Sequence, residues 1–200
     1  MNAIRDLMDK ARTYIQLTHV SDIARRYFFK NGIDGSMTAL GVILGAWTLK
    51  VNNPNIIIGT GFGAVLAMGI SGLFGAYITE RAERSRRLKM LEDSLLTKLD
   101  ESIFKDASEF VSVFAALIDG LSPALTASIS LGPFLITAIG ALVIWDAYII
   151  SVILNFATMF ALGMYLGRVA RGNIWLYGLQ MLAAGVTISI IIFLLGGFNV

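Results

Sequence analysis

Five apolar stretches dominate this sequence. Each is long enough to cross the roughly 30 Å hydrocarbon core of a bilayer as a helix, which takes about 20 residues. Of the 200 residues, 56% are hydrophobic and only 15% are charged, more apolar surface than one soluble domain buries. We therefore predict an all-α membrane protein with five transmembrane helices, at Ile33–Leu49, Ile56–Thr79, Phe110–Leu131, Ala147–Gly167 and Ile174–Phe198.

The distribution of Lys and Arg supports five spans over six. The short apolar segment Gly132–Trp145 contains Pro133 and fits a tilted extension of the third span, a re-entrant piece or a sixth span. Of sixteen Lys and Arg residues, six precede the first span, seven lie within Arg81–Lys105, two lie between the last two spans, and only Lys50 remains. Five spans put fifteen of them on one face, which the positive-inside rule identifies as cytoplasmic. This predicts an integral protein of the cell membrane with its N-terminus in the cytoplasm and its C-terminus outside.

Composition argues against several functional classes. The chain has no cysteine and a single histidine, His19, so it cannot build a thiolate or multi-histidine metal site alone. It contains no Walker A loop, GxSxG elbow or HExxH helix, and we expect no enzymatic activity. Its positive charges are scattered between apolar runs, which predicts no binding to nucleic acid.

The chain divides into four regions along its length. Residues 1–30 form an amphipathic N-terminal segment, in which Met1–Thr18 has the spacing of a helix lying on the membrane. Residues 31–79 hold the first two spans, and residues 110–200 hold the last three. Residues 80–109 form a charged region without Gly or Pro, which predicts a helical extension of the second span into the cytoplasm.

Small residues recur at every fourth position of the second span. Such a stripe lets another backbone approach closely, and it predicts a tight helix contact within the chain or across a dimer. Gly41 and Gly45 repeat the pattern more weakly in the first span. The stripe comprises Gly59, Gly63, Ala67, Ser71 and Gly75.

Two aspartates lie within predicted spans. Asp34 opens the first span between Gly32 and Gly35, and we expect these glycines to leave backbone room around it. It is either a helix N-cap or a carboxylate facing the bundle interior or an aqueous path. Asp119 lies nearer the middle of the third span, where it is protonated, paired with a base or part of a proton path. Asn155 of the fourth span is a candidate hydrogen-bonding neighbour for it.

The charged region offers further oxygen ligands for a divalent cation. Its acids include two pairs at i, i+3 spacing, Glu80 with Glu83 and Asp106 with Glu109, together with Glu92. Seven interleaved bases leave a salt-bridged helix as the alternative. Met37 and Met68 add soft sulfur atoms within the spans, where packing is the commoner role of methionine.

Three stretches of this sequence resemble the vacuolar iron transporter family. They are FKNGIDGSMTAL at Phe29–Leu40, SGLFGAY at Ser71–Tyr77 before the charged helix, and GLSP at Gly120–Pro123. The resemblance follows nearly the whole chain in order and identifies a divergent member. The chain departs from the family pattern at Gly72, where a methionine is common, and at Ala64, where some members have a glutamate.

This resemblance implies a five-span homodimer that moves ferrous iron or manganese out of the cytosol in exchange for protons, with no tightly bound cofactor. It places Asp34 on the path at the dimer interface and assigns the cytoplasmic acids, as a group, to metal collection. The alternative is a non-transporting dimeric scaffold whose cytoplasmic helix binds a partner. The candidate metal ligands are thus Asp34, Met37, Met68, Glu80, Glu83, Glu92, Asp106 and Glu109, and the candidate proton-coupling residues are Asp34 and Asp119.

Overall fold

The computed structural model describes residues 20–96 and 103–197, and all the regular structure within these ranges is α-helical. The predicted all-α class is confirmed. The amphipathic helix predicted for Met1–Thr18 lies outside the described residues. The five helices are α1 (Val20–Thr48), α2 (Pro54–Leu95), α3 (Ile103–Ala138), α4 (Ile144–Val169) and α5 (Ile174–Gly197).

Four of the described helices, α2 to α5, are long and apolar enough to cross a membrane, which identifies an integral membrane protein. α2 has 42 residues and is thus about 63 Å long at 1.5 Å per residue, twice what the hydrocarbon core requires. Its helix continues without a break from the predicted second span to Leu95. α1 is less apolar because Asp34, Ser36 and Thr38 lie within its predicted span.

The helix ends are closed by local backbone and side-chain hydrogen bonds. α1, α3 and α4 are each followed by a residue in the left-handed conformation, Lys50 (φ 54°), Gly140 (φ 80°) and Arg171 (φ 52°). The next N–H then bonds the carbonyl five residues earlier at 3.0–3.2 Å, which satisfies helix-end carbonyls. α2 and α5 start after asparagines, since the Oδ1 atoms of Asn53 and Asn173 each accept a backbone N–H at 3.0 Å.

α3 passes through both of its prolines without ending. It contains Pro123 and Pro133 and runs on to Ala138 before the turn at Gly140. The Thr137 hydroxyl donates to the Pro133 carbonyl at 3.1 Å. Neighbouring hydroxyls and helices make proline tolerable in membrane helices. The first half of Gly132–Trp145, up to Ala138, therefore extends α3, and the described residues contain no separate sixth helix there.

The helices contribute to two compact units. Among the described residues, unit 1 comprises those between Val20 and Phe28 and between Ile70 and Leu121, and unit 2 comprises Phe29–Gly69 and those between Ser122 and Gly197. The core of unit 2 joins α1, α2, α3 and α4 through side chains with no exposed surface. Its largest members are Ile43, Ile57, Leu131, Phe134 and Tyr148.

α4 and α5 pack against each other through glycines within unit 2. A Cβ atom on Gly163 would lie 2.6 Å from the Tyr177 carbonyl oxygen, and one on Gly178 would lie 2.5 Å from the Phe160 ring. Real Cβ atoms do not approach so closely, so only glycine allows these two backbones their present separation. The hydrophobic effect does not drive helices together within lipid, so van der Waals contact at such close approach stabilises the packing of membrane helices.

Candidate functional site

Asp34 lies on the exposed surface of α1 within unit 2. α1 is already helical from Val20, so Asp34 sits in the helix interior, and its interpretation as an N-cap is wrong. Because its backbone N–H and C=O groups belong to the helix, only the carboxylate is available for other contacts. The structure thus leaves an open carboxylate on a helix whose neighbours are membrane-spanning.

The glycines beside Asp34 face away from it and pack against α3. A Cβ atom on Gly35 would lie 2.5 Å from the Cα atom of Pro123. The Thr126 hydroxyl donates to the Gly32 carbonyl at 2.8 Å. The expectation that these glycines leave room around the Asp34 carboxylate is therefore wrong: they set the distance between α1 and α3.

A buried polar cluster joins α1, α3 and α4 in unit 2. The Asn155 side-chain amide donates to the Ser36 carbonyl and to the Ser130 hydroxyl, each at 2.8 Å. Both hydrogens of the Asn155 amide are therefore used within unit 2. Asn155 Oδ1 and the hydroxyls of Ser36 and Ser151 bond to no described residue, although all three side chains are fully buried.

This cluster was missed in the sequence, although a signal was present. Ser151 and Asn155 are four residues apart in the predicted fourth span, so they share a helix face. Two polar side chains on one face of a membrane helix predict an interior contact, because their exposure to lipid is unfavourable. Their partners on α1 and α3 could not be named without the tertiary structure.

The small-residue stripe of α2 has no partner among the described residues. Cβ atoms on Gly59, Gly63 and Gly75 would meet nothing within 4 Å, and Ala67 and Ser71 are also exposed. Gly41 and Gly45 of α1 are open in the same way. Within each unit these positions are therefore open.

Asp119 of α3 is buried against α2 in unit 1, with only 6% of its surface exposed. A Cβ atom on Gly72 would lie 2.7 Å from Asp119 Oδ2. Gly72 is one of the two positions, with Ala64, at which the sequence departs from the pattern of the transporter family that it resembles. In this structure its missing side chain is what leaves room for the carboxylate.

Glu80 lies at the centre of a polar network in the same unit. It is 8% exposed, and its Oε1 accepts the Tyr27 hydroxyl proton at 3.0 Å. The Arg84 guanidinium lies 3.4 Å from Oε2, and the exposed Arg26 lies 3.7 Å from Oε1. Two positive charges therefore flank one carboxylate, and any metal ion at Glu80 would compete with them.

Burial and charge shift the acidities within this network. Burial raises the pKa of the Tyr27 phenol, and the hydrogen bond to Glu80 raises it further. A negative charge on Asp119 would act in the same direction. Burial lowers the pKa of Arg84, and the charge of Glu80 opposes this effect.

The remaining candidate ligands are dispersed over the two units. Met37 packs against a small cluster around Leu40 and Leu44, and Met68 is half-buried on α2. Glu83 pairs with Arg87 at 2.9 Å, as expected for a salt-bridged helix. Glu92 is half-buried, while Asp106 and Glu109 are exposed on α3. Within residues 20–96 and 103–197, no three acidic or histidine side chains converge on a common point.

A curated relative covers most of the chain. The uncharacterized protein MJ0645 of Methanocaldococcus jannaschii is 30% identical over 173 residues, which span 85% of this chain and 87% of the relative. This chain belongs to the same family as MJ0645. No protein-family model matches the chain, and no solved structure matches it. Because this relative is uncharacterized, the function of the chain has to be inferred from the residues of the chain itself.

Proposed function

We propose that this protein transports a divalent metal ion, ferrous iron or manganese, out of the cytosol in exchange for protons. The observation that carries the proposal is the position of Asp34 on an open face of α1. A carboxylate costs on the order of 3 kcal/mol at the bilayer centre on insertion scales and less towards an interface, and carboxylates within membrane spans normally face a protein interior or an ion path. Carboxylate oxygen is also a preferred ligand of hard and borderline divalent cations.

The proposal includes α1 as a fifth span. α1 continues as one helix through the predicted first span to Thr48, although it is the one described helix without a stretch long and apolar enough to be identified as a span by itself. Five crossings keep fifteen of the sixteen Lys and Arg residues on one side of the membrane. That side is the cytoplasm of a cell membrane, with the N-terminus inside and the C-terminus outside.

A homodimer completes the site in this proposal. The open stripe of α2 and the open glycines of α1 offer two surfaces on which a second copy can approach closely. A partner on the face of α1 would also cover Asp34, which removes the cost of exposing it to lipid. Two copies of Asp34 near a common axis would supply the oxygen ligands that one chain lacks.

Proton exchange follows from competition at carboxylates. A metal ion binds the deprotonated form, so metal entry releases a proton, and protonation releases the metal. Asp34 serves as the shared site in this scheme, and Asp119, buried over Gly72, serves as a second proton acceptor. The exposed acids of the charged region, Asp106 and Glu109 among them, supply metal from the cytoplasmic side.

Transport in proteoliposomes tests this function. The full chain should carry Fe²⁺, under anaerobic conditions, or Mn²⁺ into vesicles with protons moving in the opposite direction, each followed by an internal dye. Asp34→Asn should abolish both fluxes, because an amide neither binds metal well nor releases a proton. Asp146→Asn is the matched control, since Asp146 is exposed in the first turn of α4 and has no role in the scheme. Equal transport by Asp34→Asn and the wild type would contradict the proposal.

One observation favours a second function, a dimeric scaffold without transport. Glu80 is the most buried acid among the described residues of the charged region, and two Arg side chains already balance its charge while the Tyr27 hydroxyl donates to it. In a scaffold, this network would keep α2 in a fixed position to which a cytoplasmic partner binds. Calorimetry with Mn²⁺ separates the two functions, because a scaffold predicts no saturable heat and a transporter predicts saturable binding that Asp34→Asn weakens.

A further inference from the structure

A shallow cavity of about 340 Å³ opens at the end of unit 2 where α1 finishes and α4 begins. It involves neither Asp34 nor the acids of the charged region. Two tryptophans, a phenylalanine and one cation line it, so its wall is aromatic with a single charged group. The lining residues of this Trp–Lys cavity are Trp47, Thr48, Lys50, Trp145, Phe193 and Gly196.

Lys50 is the one basic residue of the sixteen that the charge distribution leaves on this side of the membrane. Its left-handed backbone (φ 54°) is held by its own N–H, which donates to the Trp47 carbonyl at 2.9 Å. Its side chain is exposed and forms no ion pair with any residue the structure describes. A fixed backbone and an uncompensated ammonium together favour binding of an anion at this point.

The aromatic walls are held in place by one buried side chain. The ring of Tyr148 lies 5.5 Å from Trp47 and 5.8 Å from Trp145, between ring centres. Its hydroxyl donates to the carbonyl of Val51, the residue after Lys50, at 2.8 Å. Tyr148 is fully buried, so it fixes both tryptophans and the backbone beside Lys50 before any ligand arrives. Such preorganisation lowers the entropic cost of binding.

The surroundings of the cavity indicate the kind of anion. Tryptophan rings favour the membrane–water interface, where they sit at the depth of the lipid headgroups. Phe193 of the lining is half-exposed, and Ile190 and Leu194 continue an exposed apolar face along α5. A ligand with a negative head for Lys50 and an apolar tail for α5 matches this arrangement, whereas a free anion would leave the apolar face unused.

We propose that the Trp–Lys cavity binds an anionic phospholipid, with the headgroup phosphate beside Lys50 and an acyl chain along α5. Indole N–H groups of Trp47 and Trp145 are hydrogen-bond donors that suit the phosphate oxygens. One basic residue near a membrane surface adds attraction for an anionic lipid that corresponds to about a five-fold preference over a zwitterionic one. The proposal is independent of metal transport.

Tryptophan fluorescence can test the site directly. The chain has three tryptophans, so a Trp175→Phe background leaves only the two in the cavity as reporters. This full-length protein is reconstituted in phosphatidylcholine bilayers that contain increasing fractions of acyl-brominated phosphatidylglycerol, or of brominated phosphatidylcholine, as quencher. We expect brominated phosphatidylglycerol to quench at about five-fold lower mole fraction than brominated phosphatidylcholine.

Lys50 variants then assign the preference to the cavity. Lys50→Gln should reduce the ratio to about one, and Lys50→Arg should retain it, because the charge is what attracts the headgroup. Arg171→Gln is the matched control: Arg171 has the same left-handed backbone (φ 52°), is exposed, and lies at the opposite end of α4. It should leave the ratio unchanged.

The proposal also has tests that need no variant at Lys50. Raising the salt to about 1 M should lower the preference, because it screens an exposed ammonium. Inorganic phosphate at low millimolar concentration should not displace the lipid, and displacement would identify a free-anion site and overturn the proposal. Equal quenching by the two brominated lipids, or a preference that survives Lys50→Gln, would overturn it as well.

Discussion

Glycine is used in opposite ways on α2 and on the α4–α5 pair. Gly163 and Gly178 lie so close to the neighbouring helix that no side chain fits, whereas Gly59, Gly63 and Gly75 meet nothing within 4 Å. Both sets belong to membrane helices, and both leave backbone surface that another helix can approach. The first set is satisfied within the chain, and the second remains available for a neighbouring molecule.

This contrast separates fold from assembly. We call glycines that contact a neighbouring helix closed and those that meet nothing within 4 Å open. Substitutions at the closed glycines should unfold the chain. Substitutions at the open glycines should change only the association of the chain with other molecules. Gly72 lies between these cases, because its neighbour is the mobile end of one side chain, Asp119 Oδ2, rather than backbone. Four substitutions test this difference between the glycines, in order of decreasing expected effect.

Gly163→Leu should have the largest effect. Its Cβ atom would lie 2.6 Å from the Tyr177 carbonyl oxygen, so α4 and α5 would have to separate. Overpacking of this kind costs about 3 kcal/mol or more. The measurement is unfolding in mixed micelles followed by circular dichroism. Gly63→Leu is the paired control and should unfold as the wild type does. Equal loss of stability in the two variants would contradict the distinction between closed and open glycines.

Gly63→Leu should instead weaken association between copies. Its side chain would project from the open stripe, which we propose as a dimer contact, and prevent close approach of the backbones. We expect the fraction of dimer in liposomes, measured by energy transfer between labelled chains, to correspond to about ten-fold weaker association. If the variant associates as tightly as the wild type, the stripe faces lipid.

Gly72→Ala should have an intermediate effect. The new methyl group would lie 2.7 Å from Asp119 Oδ2, and the carboxylate can turn away at a cost of about 1 kcal/mol. If Asp119 accepts protons during transport, the ratio of protons to metal ions should fall in the proteoliposome assay while Asp34-dependent metal binding remains. Asp119→Asn provides the comparison, and a normal ratio in both variants would remove Asp119 from the mechanism.

Gly59→Ala should have the smallest effect. The methyl group meets nothing within 4 Å, and alanine is the better helix former. The free energy of unfolding should change by no more than about 0.5 kcal/mol, and it should rise rather than fall. A clear loss of stability would mean that the start of α2 contacts the rest of the chain more closely than the structure shows.

Much of the fold was predictable because the thickness of the bilayer fixes how many consecutive apolar residues a membrane-spanning helix needs. Apolar stretches of about 20 residues located α2 to α5, and the absence of Gly and Pro after Thr79 predicted the continuation of α2. The end of α3 was harder to predict, since Pro133 is compatible with both a break and an extension. The Thr137 hydroxyl and the later turn at Gly140 decide in favour of extension.

The candidate site was predictable by residue type and less so by contact. Membrane carboxylates are rare enough that Asp34 and Asp119 could be selected from the sequence alone. The contacts of these two carboxylates could not be predicted, because the sequence does not show which face of each helix packs against a neighbouring helix. The glycines beside Asp34 therefore looked like room for its carboxylate, although they pack on Pro123 and Thr126.

The amino-acid sequence alone is sufficient to show that this chain is helical and lies in a membrane. Those properties depend on the transfer of side chains between water and lipid, which each residue contributes almost independently. The three-dimensional arrangement was needed to show which glycines contact a neighbouring helix, which carboxylate is exposed, and that Trp47, Trp145 and Lys50 line one cavity. These depend on which helix faces meet, and that choice is made by packing among many residues at once.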